Sequence, residues 1–352
     1  WTSQPPNQWK AEAAPLFAFY GMGLHGWDAS YHFTANTAWL RGGWPSLSSY
    51  VSETPHYMGQ FPALARAVYE GHVRESVPVA ARRLSVDQVF QGFDALTQPL
   101  AEGGWDPEAG EDTLEIPAEV FAIGRVSTHI ADGLDLSERV DWDLYWNTET
   151  GVITSETGDL TWDTVARVVT IDTPSTQGVL GWAGGSTWEF GDVTASVTTE
   201  FVSLLFTALD GEPLASSGRV LVTAMAQDRQ LGSEYNEDGS ELIEVGGPPL
   251  LLEPVQATIA FTGGEVAAVT PLDPYGVPRD EAVAMSEDGS FLIDGRYRTT
   301  HYLVELGVGD GGSDSGPEDT GEESDSKGCG CAAASRLLVG VLPGSGVGQV
   351  DP

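Results

Sequence analysis

The sequence predicts a mixed chain: an α/β segment first, then all-β sandwich structure, then a disordered acidic tail. Three observations predict it. Apolar residues at helical spacing recur near the start, short β-branched runs separated by Asp-Gly turns fill the chain from Gly151 onward, and material for a core runs out after Leu306.

From Trp1 to about Leu84 the pattern is αβα-like. Glu12 to Tyr20 predicts a short helical stretch, and "GMGLHGWDASYHF" predicts a buried strand running into a polar loop. "FPALARAVYEGHV" returns to helical spacing with Phe61, Leu64, Ala65 and Val68 on one face, so residues 1–84 resemble one turn of a β/α repeat. Residues 85–150 form a connecting segment, with Pro107, Pro117 and "AEGGWDPEAGEDT" marking loops.

In residues 151–306 the strand candidates are "RVVTID", "FVSLLFTALD", "GRVLVTAMA", "VQATIAF", "SFLID" and "THYLVEL", separated by "DGE", "TGGE" and "EDGS" turns. Within "FVSLLFTALD", Val202, Leu204, Phe206 and Ala208 alternate with Phe201, Ser203, Leu205 and Thr207. Both faces are partly apolar, which places this strand inside a packed sandwich. Residues 307–352 begin with Gly, Ser and acidic residues that have almost nothing to bury, the composition of a disordered, charge-extended linker. The final apolar stretch falls short of the roughly 20 residues that span a bilayer, and Pro343 interrupts it.

At 352 residues there is room for two or three domains. The net charge of -36, from 16 Lys and Arg against 52 Asp and Glu, repels polyanions, so nucleic acid and anionic lipid are excluded as partners. Such a surface suits an exported protein in brine, or serves solubility alone. Eleven Trp and ten Tyr offer flat apolar faces of the kind that stack on sugar rings, and would serve equally as core residues of β domains. Both Cys, Cys329 and Cys331, lie in the tail, so the globular part has no disulfide framework. A Trp start without a signal peptide leads us to expect a missing N-terminus.

The first segment carries the chemistry. Trp1, Pro6 and Asn7, Lys10, Glu12 and then Trp27 and Asp28 follow one another in an order that resembles the stretch linking the last two strands of cellulase-like (β/α)8 glycoside hydrolases. There a Ser-Glu-Trp run ends the seventh strand, a "PN…R.E" segment follows, and a Trp-Asp pair ends the eighth; Lys10 stands in place of the usual Arg. The resemblance continues in "SETGDLTWD" and "VVTIDTPSTQGVLGWAGG", similar to strands that follow the barrel in those proteins. It implies that residues 1–84 are the C-terminal remnant of a TIM barrel. The two catalytic carboxyls of a retaining enzyme would then lie upstream of Trp1, leaving no catalytic residue here.

What the resemblance leaves is a substrate-binding wall of Trp1, Asn7, Glu12, Trp27, Asp28 and His32. Trp27 would be the stacking platform, or else a core Trp capping the barrel. Asp28 would accept from a sugar hydroxyl, or cap the following loop. Glu12 would orient Lys10 or a neighbouring loop, or act as a plain helix-start carboxylate.

His25 and His32 have no third metal ligand in a fitting pattern, and no phosphate loop, nucleophile elbow or CxxC pair occurs, so neither metal nor cofactor is expected. The turn at Asn236 to Glu241 has the composition of calcium ligands but not the spacing of an EF-hand. The run "KGCGCAAASRLL" resembles the C-terminal sorting signals of myxobacterial exported proteins, without their long apolar helix and Arg cluster. The expectation is the C-terminal part of a secreted or surface-attached glycoside hydrolase with a carbohydrate substrate; the alternative is a non-catalytic carbohydrate-binding or adhesion protein.

Overall fold

A computed structural model describes residues 10–32, 54–90, 116–130, 138–237, 241–244 and 246–307. The described residues all fall within one compact unit. The expected linker and sorting tail, together with Trp1 and Asn7, lie outside the described residues. The fold is β-rich, with 40% strand against 16% helix.

Thirteen strands build two sheets, numbered here in chain order. They are β1 (Trp146–Asn147), β2 (Val152–Thr154), β3 (Leu160–Asp163), β4 (Val168–Asp172), β5 (Thr176–Gly181), β6 (Ser186–Glu189), β7 (Val193–Val197), β8 (Val202–Ala208), β9 (Arg219–Met225), β10 (Ala257–Phe261), β11 (Glu265–Pro271), β12 (Phe291–Ile293) and β13 (His301–Gly307). The larger sheet runs β11-β13-β9-β8-β5-β4-β3-β2-β1 and the smaller β12-β10-β7-β6, every pairing antiparallel. Short ribbons pair Asp228–Leu231 with Gly247–Leu252 and Glu234–Tyr235 with Leu242–Glu244.

The two sheets bury a common core. Val202, Leu204, Phe206 and Ala208 of β8 meet Val193, Ala195 and Val197 of β7 and Ala257 and Ile259 of β10. The period-2 alternation of a strand puts the intervening residues on the opposite face, which is also covered. All seven residues of β8 are buried. The sequence expectation for this strand, apolar on both faces inside a packed sandwich, is the arrangement found.

Helices cover that opposite face. A helical run passes from Lys10–Glu12 through α1 (Ala13–Leu16) into a π-helical stretch, Phe17–Leu24. Next come α2 (Pro55–Met58) and α3 (Phe61–Glu70), the latter ending at Gly71 in the left-handed region. Ala14, Ala18, Phe19, Leu24, Leu64 and Ala67 bury against Ile153, Leu160, Ile171, Leu180 and Leu205 of the sheet. Ile116, Val120 and Ile123 join the same core, so it draws on 1–84, 85–150 and 151–306 alike.

Two expectations need correction. The strand placed over "GMGLHGWDASYHF" is instead the end of the π-helical run, followed by loop. A short continuous apolar stretch does not distinguish a buried strand from a buried helix by periodicity. On α3, Leu64 is buried and Phe61 and Val68 half-buried as expected, but Ala65 is exposed while Ala63 and Ala67 face inward. A three-stranded sheet lies nearby, in which Pro78–Leu84 pairs parallel with Arg125–Ile130 and antiparallel with Glu138–Arg139.

Candidate functional site

The sequence-nominated residues do not converge on one site. Trp27 and Asp28 sit just past the π-helical run, both exposed, Trp27 at 43%. The Trp27 ring lies across Gly21, where a Cβ would come within 2.5 Å of it, and Phe17 and His25 flank it at 6.4 Å centroid separations. His25 shares a 2.7 Å hydrogen bond with the Phe121 carbonyl and stacks on the Phe121 ring. Burial, reinforced by the Arg125 charge, lowers its pKa against the opposing pull of that carbonyl.

His32 faces the protein. Its Nδ1 is 2.6 Å from the Tyr57 hydroxyl, and its ring meets the edges of Phe17, Tyr57 and Phe61. Burial lowers its pKa and raises that of Tyr57 beyond the normal phenol range, so the neutral pair is favoured. His32 thus ties its loop to α2 and α3.

Glu12 stands elsewhere, on a cleft of about 400 Å³ whose walls include Trp162, Thr164, Arg167, Trp182 and Phe201. Trp162 belongs to β3 and also meets Tyr20 of the helical run at 5.5 Å, while Trp182 follows β5 and meets the edge of Phe201. The turn between β3 and β4 is held by the Asp163 carboxylate, which accepts from the Val165 and Ala166 N–H groups at 3.0 and 2.7 Å. Thr164 donates its hydroxyl to the Gly151 carbonyl at 2.9 Å.

That turn delivers Arg167 with φ of 59°. A non-glycine residue there costs about 1–3 kcal/mol and persists only where its surroundings over-determine it. Two contacts do so. The Arg167 carbonyl accepts from the Trp182 N–H at 3.2 Å, and the guanidinium lies 4.5 Å above the Trp182 ring as a cation–π pair. Gly181 is required opposite it, because a Cβ at that residue would approach the Arg167 carbonyl oxygen to 2.3 Å. Aromatic walls with a few fixed polar groups are the usual make-up of a small-ligand site.

One buried constellation has the residue types of a nucleophile relay. His56 Nδ1 pairs with the Asp228 carboxylate, and Thr54 Oγ1 lies 3.4 Å from His56 Nε2. All three are at most 5% exposed, Thr54 at the N-terminal end of α2 and Asp228 at the start of the ribbon strand Asp228–Leu231. Alongside them Gln60 donates to the carbonyls of Ala11 and His56, both at 2.6 Å, and accepts from Ser203 at 2.5 Å. This network seats the helices on the sheet.

Among the described residues no three His, Cys, Asp or Glu converge as a metal site. In the calcium-like turn, Asn236 Oδ1 accepts from the Glu241 N–H at 3.0 Å. Sequence reasoning nominated Glu12 but not its cleft partners. Trp162 and Trp182 both stand in the stretches quoted for the resemblance, and Arg167 is one of only 16 basic residues in the chain. A scarce cation between two tryptophans was the available signal. Comparison with known protein families, curated proteins and solved structures finds no match to this chain.

Proposed function

We propose that this chain is a non-catalytic carbohydrate-binding protein of the cell exterior, with its ligand in the cleft between Trp162 and Trp182. The observation that carries this reading is the convergence there of three aromatic side chains with one guanidinium and one carboxylate. Indole faces take up the C–H faces of sugar rings, and charged groups at the rim fix orientation. The net charge of -36 supports an uncharged partner over nucleic acid. Export, and attachment through the acidic tail, belong to the same proposal.

A second reading, the C-terminal part of a glycoside hydrolase whose carboxylates lie upstream, draws support from the parallel pairing of Pro78–Leu84 with Arg125–Ile130 beside α3. The exposed Trp27 and Asp28 would then border the substrate cleft. The helix at Phe17–Leu24, where the barrel strand was expected, counts against it.

Pull-down of the purified chain with insoluble cellulose, xylan, mannan, chitin and starch tests the first reading. Retention on at least one of them, reduced by Trp182→Ala and not by Trp27→Ala, is expected. Retention that depends on Trp27 alone supports the second reading, and retention on none sinks the proposal.

A further inference from the structure

We infer that the ribbon strand Gly247–Leu252 is a docking edge for another protein, whose extended segment, apolar between flanking Lys or Arg, adds to it as a third strand. This goes beyond the carbohydrate reading and does not rest on the cleft. Gly247–Leu252 pairs with Asp228–Leu231 and with no other strand among the described residues. The register sets Asp228, Arg229 and Gln230 opposite Leu252, Leu251 and Leu250, and the Glu253 N–H donates to the Gln227 carbonyl at 3.0 Å. Antiparallel pairs alternate between those that exchange main-chain bonds and those that exchange none. Gln227 and Glu253 hold a bonded position, so Leu250 and Leu252 turn their N–H and C=O groups outward, where no described residue takes them up.

The side chains of this edge are uncovered as well. Leu251 is 39% exposed and Leu252 45%, and successive residues of a strand point to opposite faces, so the edge is reachable from both. Pro248, Pro249 and Pro254 carry no N–H, which confines pairing to the three leucines between them. An unpaired apolar edge is a template for another strand: main-chain bonds supply affinity and alternate side chains supply specificity.

Charge decides what kind of strand. From residue 228 to residue 253 there are seven Asp and Glu against Arg229 alone, and Glu253 directly follows the open edge. A segment with Lys or Arg on either side of its apolar residues complements that field. A second copy of this chain brings a net charge of -36 and a second Glu253 to the same edge, so like charges oppose self-pairing.

Fluorescence anisotropy of the full chain with labelled synthetic peptides tests the inference. One peptide has an alternating Thr-Val core between Lys pairs, a second carries Glu in place of Lys, and a third is the basic peptide with Pro at two adjacent core positions, which removes donors from both of its edges. The basic peptide should bind, less tightly at high salt, and the other two should bind about tenfold or more weakly. Leu252→Pro removes the outward N–H without breaking a bond to Asp228–Leu231, and should weaken binding to the same extent. Leu252→Lys keeps the N–H and sets a cation against the peptide, with the same result expected at an unchanged thermal midpoint. Val277→Lys, at an exposed apolar residue outside the ribbon, should leave binding as it was.

No binding of the basic peptide, or binding indifferent to both Leu252 variants, would overturn the inference. Equal binding of the proline-containing peptide would show attraction by charge without strand addition, and would overturn it too. So would a dimer in sedimentation that Leu252→Pro dissolves, because a second copy would then hold the edge.

Discussion

The two faces of the nine-stranded sheet are both buried, yet by different means. The face toward the small sheet is packed mainly from Val, Ala, Leu, Ile and Phe, with Phe206 close to Phe190 and Phe261, and its buried polar groups are Tyr302 and Gln177, the latter hydrogen-bonded to Asp192. The face toward the helices mixes apolar residues with Ser203, Thr176, Thr207, Thr223 and His301, answered from the helix side by Gln60 and His72. Dispersion and dehydration hold the first face wherever shapes fit. The second also needs each polar group to find its partner, which fixes where the helices sit.

The largest expected effect tests the dry face. Phe206→Ala removes a fully buried ring and should cost about 3–5 kcal/mol in denaturant unfolding. Because β8 supplies both cores, the loss should appear as one shifted transition when followed by tryptophan fluorescence and by far-ultraviolet circular dichroism. Two separate transitions would show that the helices and the sandwich fold apart, restoring a division of the chain near residues 84 and 150.

A smaller effect tests the polar face. Ser203→Ala deletes the hydroxyl that donates to Gln60 Oε1 at 2.5 Å. The stranded buried acceptor should cost about 1–3 kcal/mol, although few atoms are lost. Gln60→Leu combined with Ser203→Ala should cost less than the sum of the two single changes, because both partners then vanish together. Strict additivity in that cycle would mean the hydrogen bond contributes nothing to seating the helices.

The sandwich was legible in the sequence because its information is local. β-Branched runs, Asp-Gly turns and the two-sided alternation of "FVSLLFTALD" each report on a few adjacent residues. The helical seat was less legible. "GMGLHGWDASYHF" has an apolar composition that suits a strand or a helix, and part of what positions it is long-range: at Gly23 a Cβ would come within 2.8 Å of Val73. The cleft was the least legible part. Glu12, Trp162, Arg167 and Trp182 are spread over 171 positions and meet only once the helical run lies across β3 to β5. His32 carried a polar signal in sequence but spends it on Tyr57.

The gentlest perturbation is pH, and it should distinguish the two faces without changing an atom of packing. All six histidines lie outside the core between the sheets. His72 shares hydrogen bonds with Thr176 at 2.7 Å and Glu70 at 3.0 Å, and burial lowers its pKa below 6.5 more strongly than Glu70 raises it, with the Arg66 charge lowering it further. His301 faces the Gly59 backbone, and burial lowers its pKa against that hydrogen bond. A histidine with a depressed native pKa is protonated first in the unfolded chain. Its contribution is therefore complete above about pH 6.5 and is lost as pH falls toward the native value. Stability should decline between about pH 6.5 and 5, before depressed carboxylates such as Asp210 and Asp288 begin to titrate. Hydrogen exchange locates the loss: protection of amides in α3 and the helical run should weaken at pH 5 while that of β7 and β10 holds. His72→Gln should flatten the decline. Equal loosening on both faces, or a stability that rises on acidification through this window, would contradict the assignment of the titrating groups to the helical side.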